Sequence, residues 1–215
     1  MLYVVRHGET GFDEEKRTMG CMDIPLNNIG IKQAKELKEE LEQVKIDLIL
    51  CSPLTRTKET ANIINKDRNI KMIIQNPLAE RNMGNLEMRK YPSYEENQRI
   101  WDISINTDDY HIETMEKFKN RIYNYMDLLL DGNLTRHDFT KNQDVPEKLF
   151  DSIDDLNILL VTHGGVSALI DCYFNDSLED GLITDKFLKN GKVASYGTKT
   201  IKPKTKKYIY TSEEK

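Results

Sequence analysis

The sequence contains no apolar run approaching the roughly 20 residues of a membrane-spanning helix, so no membrane span is expected. It has no excess of basic residues. Lys and Arg number 31 against 36 Asp and Glu, for a formal charge of -5, which argues against a nucleic-acid partner held by broad charge neutralisation. Cysteine is scarce: Cys21, Cys51 and Cys172 form an odd, scattered set without metal-ligand spacing, so a reducing, cytoplasmic compartment is expected. No cluster of Asp and Glu suggests a metal, and no cofactor is expected. There is no internal repeat and no long Gly/Ser/Pro linker. A single domain over 1–215 is therefore expected, with a homodimer left open. An apolar run begins at residue 2, so no signal peptide is expected.

What is present suits a globular chain, with 38% hydrophobic and 31% charged residues in 215. LYVV (2–5), LILC (48–51), IKMIIQ (70–75) and NILLV (157–161) are short apolar runs of the kind found in strands covered on both faces. Between them lie helical patterns. Residues 28–44 place Ile31, Ala34, Leu37, Leu41 and Val44 on one stripe, with Asn27 or Asn28 as cap. Pro53 suits the first turn of the next helix, which carries Ala61 and Ile64 inward. Met115, Phe118, Ile122, Tyr125 and Leu129 form a further stripe, and another helix runs through Ala168, Leu169 and Tyr173. Residues 193–201 and 207–210 read as a closing antiparallel pair. Alternating strands and helices predict an α/β fold, a three-layer α/β/α sandwich around a mostly parallel sheet. Two polar regions interrupt it: about 82–112, expected as a lid or insertion, and about 131–151. His111 and His137 lie in polar surroundings and read as solvated surface residues.

In such a sheet, ligands bind beyond the carboxyl ends of the strands. Four strands end in Arg6-His7-Gly8, in SPLTRTKET (52–60) with Arg56, in Leu78-Ala79-Glu80, and in Thr162-His163-Gly164-Gly165. Each residue alone has a plain alternative: a loop charge, a surface arginine, a satisfied histidine. Together, two histidines, two arginines and a glutamate on one edge suit phosphoryl transfer. Arg6 and Arg56 would grip a phosphate dianion with planar, bidentate hydrogen bonds and keep His7 neutral as nucleophile. His163 would stabilise the equatorial oxygens, and Glu80 would protonate the leaving group and then activate water. Gly8 and Gly164 would let backbone and ligand approach closely.

VVRHGET (4–10), SPLTRTKET (52–60), LAER (78–81) and VTHGG (161–165), in that order, resemble the histidine phosphatase superfamily, and MGCMDIPLNNIGIKQA (19–34) resembles its loop and following helix. The resemblance implies that His7 is phosphorylated, that Arg6, Arg56 and His163 bind phosphate, that Glu80 is the proton donor, and that no metal is needed. Asp13, Gly20, Cys21 and Gly164 are further expected to bind substrate, and Arg89 and Lys90 are the candidates to grip a second anionic group. Asp13 stands where the family carries Asn, and is expected to repel phosphate, with a salt bridge to Arg6 as the competing role. Cys21 replaces a common Trp. Gly165 replaces the Asn of mutases, whereas the pair Glu80-Arg81 is shared with them. Tyr91, Tyr94, Trp101 and Tyr110 are expected either to cover the leaving group or to pack a helical subdomain. The implied activity is a metal-independent phosphomonoesterase acting on a small phosphorylated metabolite. A bisphosphoglycerate-dependent phosphoglycerate mutase and a non-catalytic phosphate-binding relative are the alternatives.

Overall fold

Residues of opposite parity along the strands feed two separate cores, and this alternation sets the layers. In a computed structural model, which describes residues 1–132, 134, 153–175 and 181–198, the strands are β1 (Leu2–Arg6), β2 (Leu48–Cys51), β3 (Met72–Ile74), β4 (Ile158–Thr162) and β5 (Val193–Tyr196). They form a sheet in the order β3-β2-β4-β1-β5, parallel except for β5 against β1. Val5, Ile49, Cys51, Leu159 and Val161 face α2 (Asn28–Glu40) and α3 (Thr55–Asn65). Val4, Leu48, Leu50, Ile158 and Leu160 face α4 (Tyr94–Trp101), α5 (Met115–Leu130) and α6 (Gly164–Asn175). A short α1 (Gly11–Glu14) follows β1. The three-layer α/β/α arrangement is the expected one. No described helix is long and apolar enough to cross a membrane, and among the described residues no disulfide joins Cys21, Cys51 and Cys172.

Local departures have local causes. The buried face of α2 runs through Gly30, Ala34 and Leu37 to Leu41, and Ile31 is exposed. Gly30 sets that rotation: a Cβ there would lie 2.0 Å from the Glu9 carbonyl oxygen, so only glycine lets the helix rest on the β1–α1 turn. The helix ends at Glu40, short of Val44. Pro53 precedes α3 rather than opening it, and the Asp23 carboxylate caps the helix by accepting from Thr55 N (2.6 Å) and Thr55 Oγ1 (2.9 Å). Within 82–112, α4 is closed by a Ser93–Glu96 capping box but buries only Ile100 and Trp101, which is why its pattern is faint. His111 is exposed. Most of 131–151, including His137, and the strand expected at 207–210 lie outside the described residues.

The register aligns the strand ends. Arg6 pairs with Thr162, and Cys51 with Val161, so His7, Ser52 and His163 leave the sheet side by side.

Candidate active site

His7 is 1% exposed and begins where β1 stops. Its Nδ1 lies 2.7 Å from its neighbour's carbonyl, Gly8 O, so Nδ1 carries the proton and donates. That leaves the Nε2 lone pair, which accepts from Arg56 Nε at 3.2 Å. Burial, then the charges of Arg56 and Arg6, hold this imidazole well below its ordinary pKa, against a smaller opposing effect of the Gly8 hydrogen bond. His7 is therefore a neutral imidazole with a directed lone pair at neutral pH.

Arg56 is itself locked. Its Nη1 donates to Met22 O at 2.7 Å and its Nη2 to Gly20 O at 2.8 Å. The loop supplying those carbonyls is held by Glu87 Oε1, which accepts from Cys21 N at 2.8 Å. Gly20 has φ +50°, and a Cβ there would meet Glu87 Oε1 at 2.2 Å. On the other side Arg6 Nη1 donates to Leu188 O at 2.9 Å, while Nη2 lies 3.5 Å from Asp13 Oδ1. Arg6 Nε is buried and, among the described residues, without a hydrogen-bond partner.

His163 is fully buried, its ring centroid 5.2 Å from that of His7. Burial, then Arg56, His7 and Arg6, push its pKa well below the ordinary value. Its Nε2 is 2.7 Å from Ser52 Oγ. Ser52 Oγ already accepts from Leu54 N at 3.5 Å, so its own proton is free to go to His163 Nε2. That arrangement puts the imidazole proton on Nδ1, which is buried and has no hydrogen-bond partner among the described residues. Thus Arg6 Nε and His163 Nδ1 are two buried donors unused among the described residues.

Glu80 sits between the sheet and α6, with Oε1 accepting from Arg81 N (2.9 Å) and Oε2 from Gly165 N (3.1 Å). Its backbone is tied down on both sides. Thr162 Oγ1 donates to Leu78 O at 2.9 Å, and Arg121, in a bidentate pair with Glu113, donates to Pro77 O (2.6 Å) and Ala79 O (2.9 Å). Gly164 lies against Arg6: a Cβ would be 3.2 Å from Nη1. At Gly165 a Cβ would be 2.7 Å from Glu80 Oε1 and 3.0 Å from Trp101.

A cavity of about 420 Å³ opens over this set, with Arg6, His7, Arg56, Glu80 and Gly20 in its lining and Tyr91, Tyr94 and Trp101 on its far wall. Tyr110 is not in the lining, and hydrogen-bonds Glu96 instead. Cys21 sits beside the site, its Sγ donating to Glu80 O at 3.3 Å, its thiol pushed up to about 11 by burial and then by Glu87 and Glu80. Arg89 is exposed and outside the lining, where Arg17 stands instead. Asp13 is also outside it. Its Oδ2 accepts from Thr10 N and Thr10 Oγ1, both 2.8 Å, and Oδ1 faces Arg6, so the geometry is that of an anchor rather than of a repelling charge. Arg81 turns away from the cavity: fully buried, it donates to Glu113 O (2.7 Å) and to Ile100 O, and stacks 5.2 Å from the Trp101 centroid. Local sequence assigns no role to Ser52, Arg17, Arg121 or Glu113. Only Ser52 carried a signal, its place directly past β2 beside the end of β4. Among the described residues no group of three or more His, Cys, Asp or Glu could hold a metal.

The family described as the histidine phosphatase superfamily (branch 1) matches residues 2–207. The uncharacterized phosphatase PhoE of Bacillus subtilis is 32% identical over 161 residues, 75% of this chain and 70% of that protein. The probable phosphoglycerate mutase GpmB of Salmonella choleraesuis is 35% identical over 127 residues, 57% of this chain and 59% of that one. The alpha-ribazole phosphatase of Shigella flexneri superposes with a TM-score of 0.66 at 25% identity, over 89% of this chain and 87% of that one.

Proposed function

Because the chain belongs to the histidine phosphatase superfamily, we propose that it is a metal-independent phosphomonoesterase that hydrolyses a small phosphorylated metabolite through a phosphohistidine on His7. The observation that carries this reading is the His7 imidazole: neutral, pinned at Nδ1 by Gly8 O, with Nε2 turned to Arg56 Nε at 3.2 Å. Nε2 attacks phosphorus while the bond from phosphorus to the ester oxygen breaks, and Arg56 Nε–H passes from the imidazole to a phosphoryl oxygen. Arg6 Nε and His163 Nδ1 donate to the same group, their geometry already set. Glu80 delivers a proton to the departing alkoxide. It then takes one from the water that cleaves the phosphorus–nitrogen bond, releasing inorganic phosphate and restoring His7.

Phosphatase names among the relatives support hydrolysis, and GpmB supports a mutase. Two features favour the phosphatase: Arg81, of the pair shared with mutases, is directed away from the cavity, and Gly165 has no room for a side chain unless Glu80 or Trp101 moves. The scarcity of cysteine suits a reducing, cytoplasmic setting. The test is release of phosphate from a nitrophenyl ester without bisphosphoglycerate, with a loss of about 10³-fold or more in His7→Ala. Turnover that depends on bisphosphoglycerate would replace the phosphatase by the mutase, and none under either condition would leave a binding protein.

A further inference from the structure

The half of the cavity that faces away from His7 is built by one face of α4. Tyr94, Asn97 and Trp101 recur at i, i+3 and i+7, so all three point the same way into the cavity. Trp101 is held rigidly for this: Phe187, also in the lining, meets it edge-on at 4.9 Å, and the Arg81 guanidinium lies 5.2 Å from its centroid. Aromatic rings thus form the walls, a surface suited to a flat ring.

Two polar groups interrupt those walls. Asn97 is half-buried, and among the described residues its carboxamide has no hydrogen-bond partner. The Thr184 hydroxyl, also in the lining, is likewise unengaged among the described residues. A carboxamide offers both a donor and an acceptor, which matches a ring edge or a sugar hydroxyl. Among the described residues this half has little positive charge. Apart from Arg6 and Arg56 at the phosphate end, the described lining holds one further cation, Arg17, already paired with Glu15 at 2.5 Å and donating to Met88 O at 2.8 Å. A carboxylate entering here would have to share that charge with Glu15.

We propose, resting on the phosphomonoesterase reading above, that the leaving group is a neutral, ring-bearing alcohol of the nucleoside type, with its ring between the aromatic walls and its polar edge on Asn97. Phosphorylated carboxylic acids such as phosphoglycerate are correspondingly disfavoured. A site with an unengaged amide discriminates by hydrogen bonding, since an analogue without the matching group leaves the amide unpaired.

The chain has one tryptophan, Trp101, so its fluorescence reports occupancy of this half directly. Uridine, which has no phosphate, is expected to shift the emission saturably, whereas glycerol and glycerate are not. Uridine 5′-monophosphate, glycerol 1-phosphate and 3-phosphoglycerate all release primary alkoxides, so differences in kcat/KM report the remainder of the molecule. The nucleotide is expected to lead the other two by about tenfold or more, and Asn97→Ala to shrink that lead about tenfold, the scale of one hydrogen bond. A 3-phosphoglycerate rate equal to or above that of the nucleotide, or no emission change with uridine, would overturn the proposal. A saturable uridine shift with no ester hydrolysed would sustain the ring-binding site while removing the phosphomonoesterase. Equal hydrolysis of all three esters would do the reverse.

Discussion

The two halves of the cavity are made differently. At the strand ends His7, Ser52, Arg56 and His163 are at most 1% exposed, and most of their polar atoms are fixed on backbone carbonyls or on one another. On the opposite side Tyr91 and Tyr94 are 52% and 75% exposed, and α4 buries only two of its residues. The phosphate end is part of the core. Its donors are set in advance by the same register that pairs β1 with β4 and β4 with β2, so they need no reorganisation to meet charge. The α4 wall hangs on a few attachments, chiefly Trp101 and Arg81, and its side chains can change with little cost to the sheet. One half is suited to constant chemistry and the other to variable specificity, and substitutions should divide accordingly.

Glu80 lies on the seam, and its replacement should have the largest effect of the three that follow. Glu80→Gln keeps the shape but can neither give up nor take a proton, so turnover of an alkyl phosphate should fall about 10²-fold, the low end for general acid catalysis. A nitrophenyl ester, whose leaving group scarcely needs the proton, should suffer much less. Equal losses on both would assign Glu80 another role.

Ser52→Ala probes the buried half through one hydrogen bond. It removes the donor that directs the His163 proton to Nδ1, and kcat should fall about tenfold, by similar factors for every ester. Nitrogen-15 spectra of the histidine rings should show His163 as the Nδ1–H tautomer in the wild type and a mixture in the variant. An unchanged tautomer would reduce Ser52 to packing.

Asp13→Asn is expected to be mildest. The carboxylate is 3.5 Å from Arg6 Nη2, and its loss should loosen Arg6 and raise the inhibition constant of inorganic phosphate by up to about fivefold, the scale of a partly exposed ion pair. Tighter phosphate binding in the variant would revive the repulsive role for Asp13.

The same division explains what could be read from the sequence. His7, Arg56, Glu80 and His163 each follow a strand or open a helix within a few residues, so local pattern located them and the parallel topology gathered them. Ser52 stands at a strand end, but its partner lies 111 residues away and only the register reveals the pairing. Glu113 and Arg121 read as ordinary charges of a helix and its approach, yet they hold the carbonyls ahead of Glu80. Periodicity counts apolar side chains and so places Ile31 inward, whereas the face is chosen by Gly30, which has none. The wall at α4 was faint because two buried side chains in eight residues make hardly any stripe.

The most direct test of the account is to trap the protein with phosphate still attached. Rapid denaturation during turnover of a labelled ester, followed by peptide mapping under alkaline conditions, should recover the phosphoryl group on His7, lost on acid treatment and missing in His7→Ala. Label on a serine, a cysteine, an aspartate or His163, with His7 bare, would contradict it.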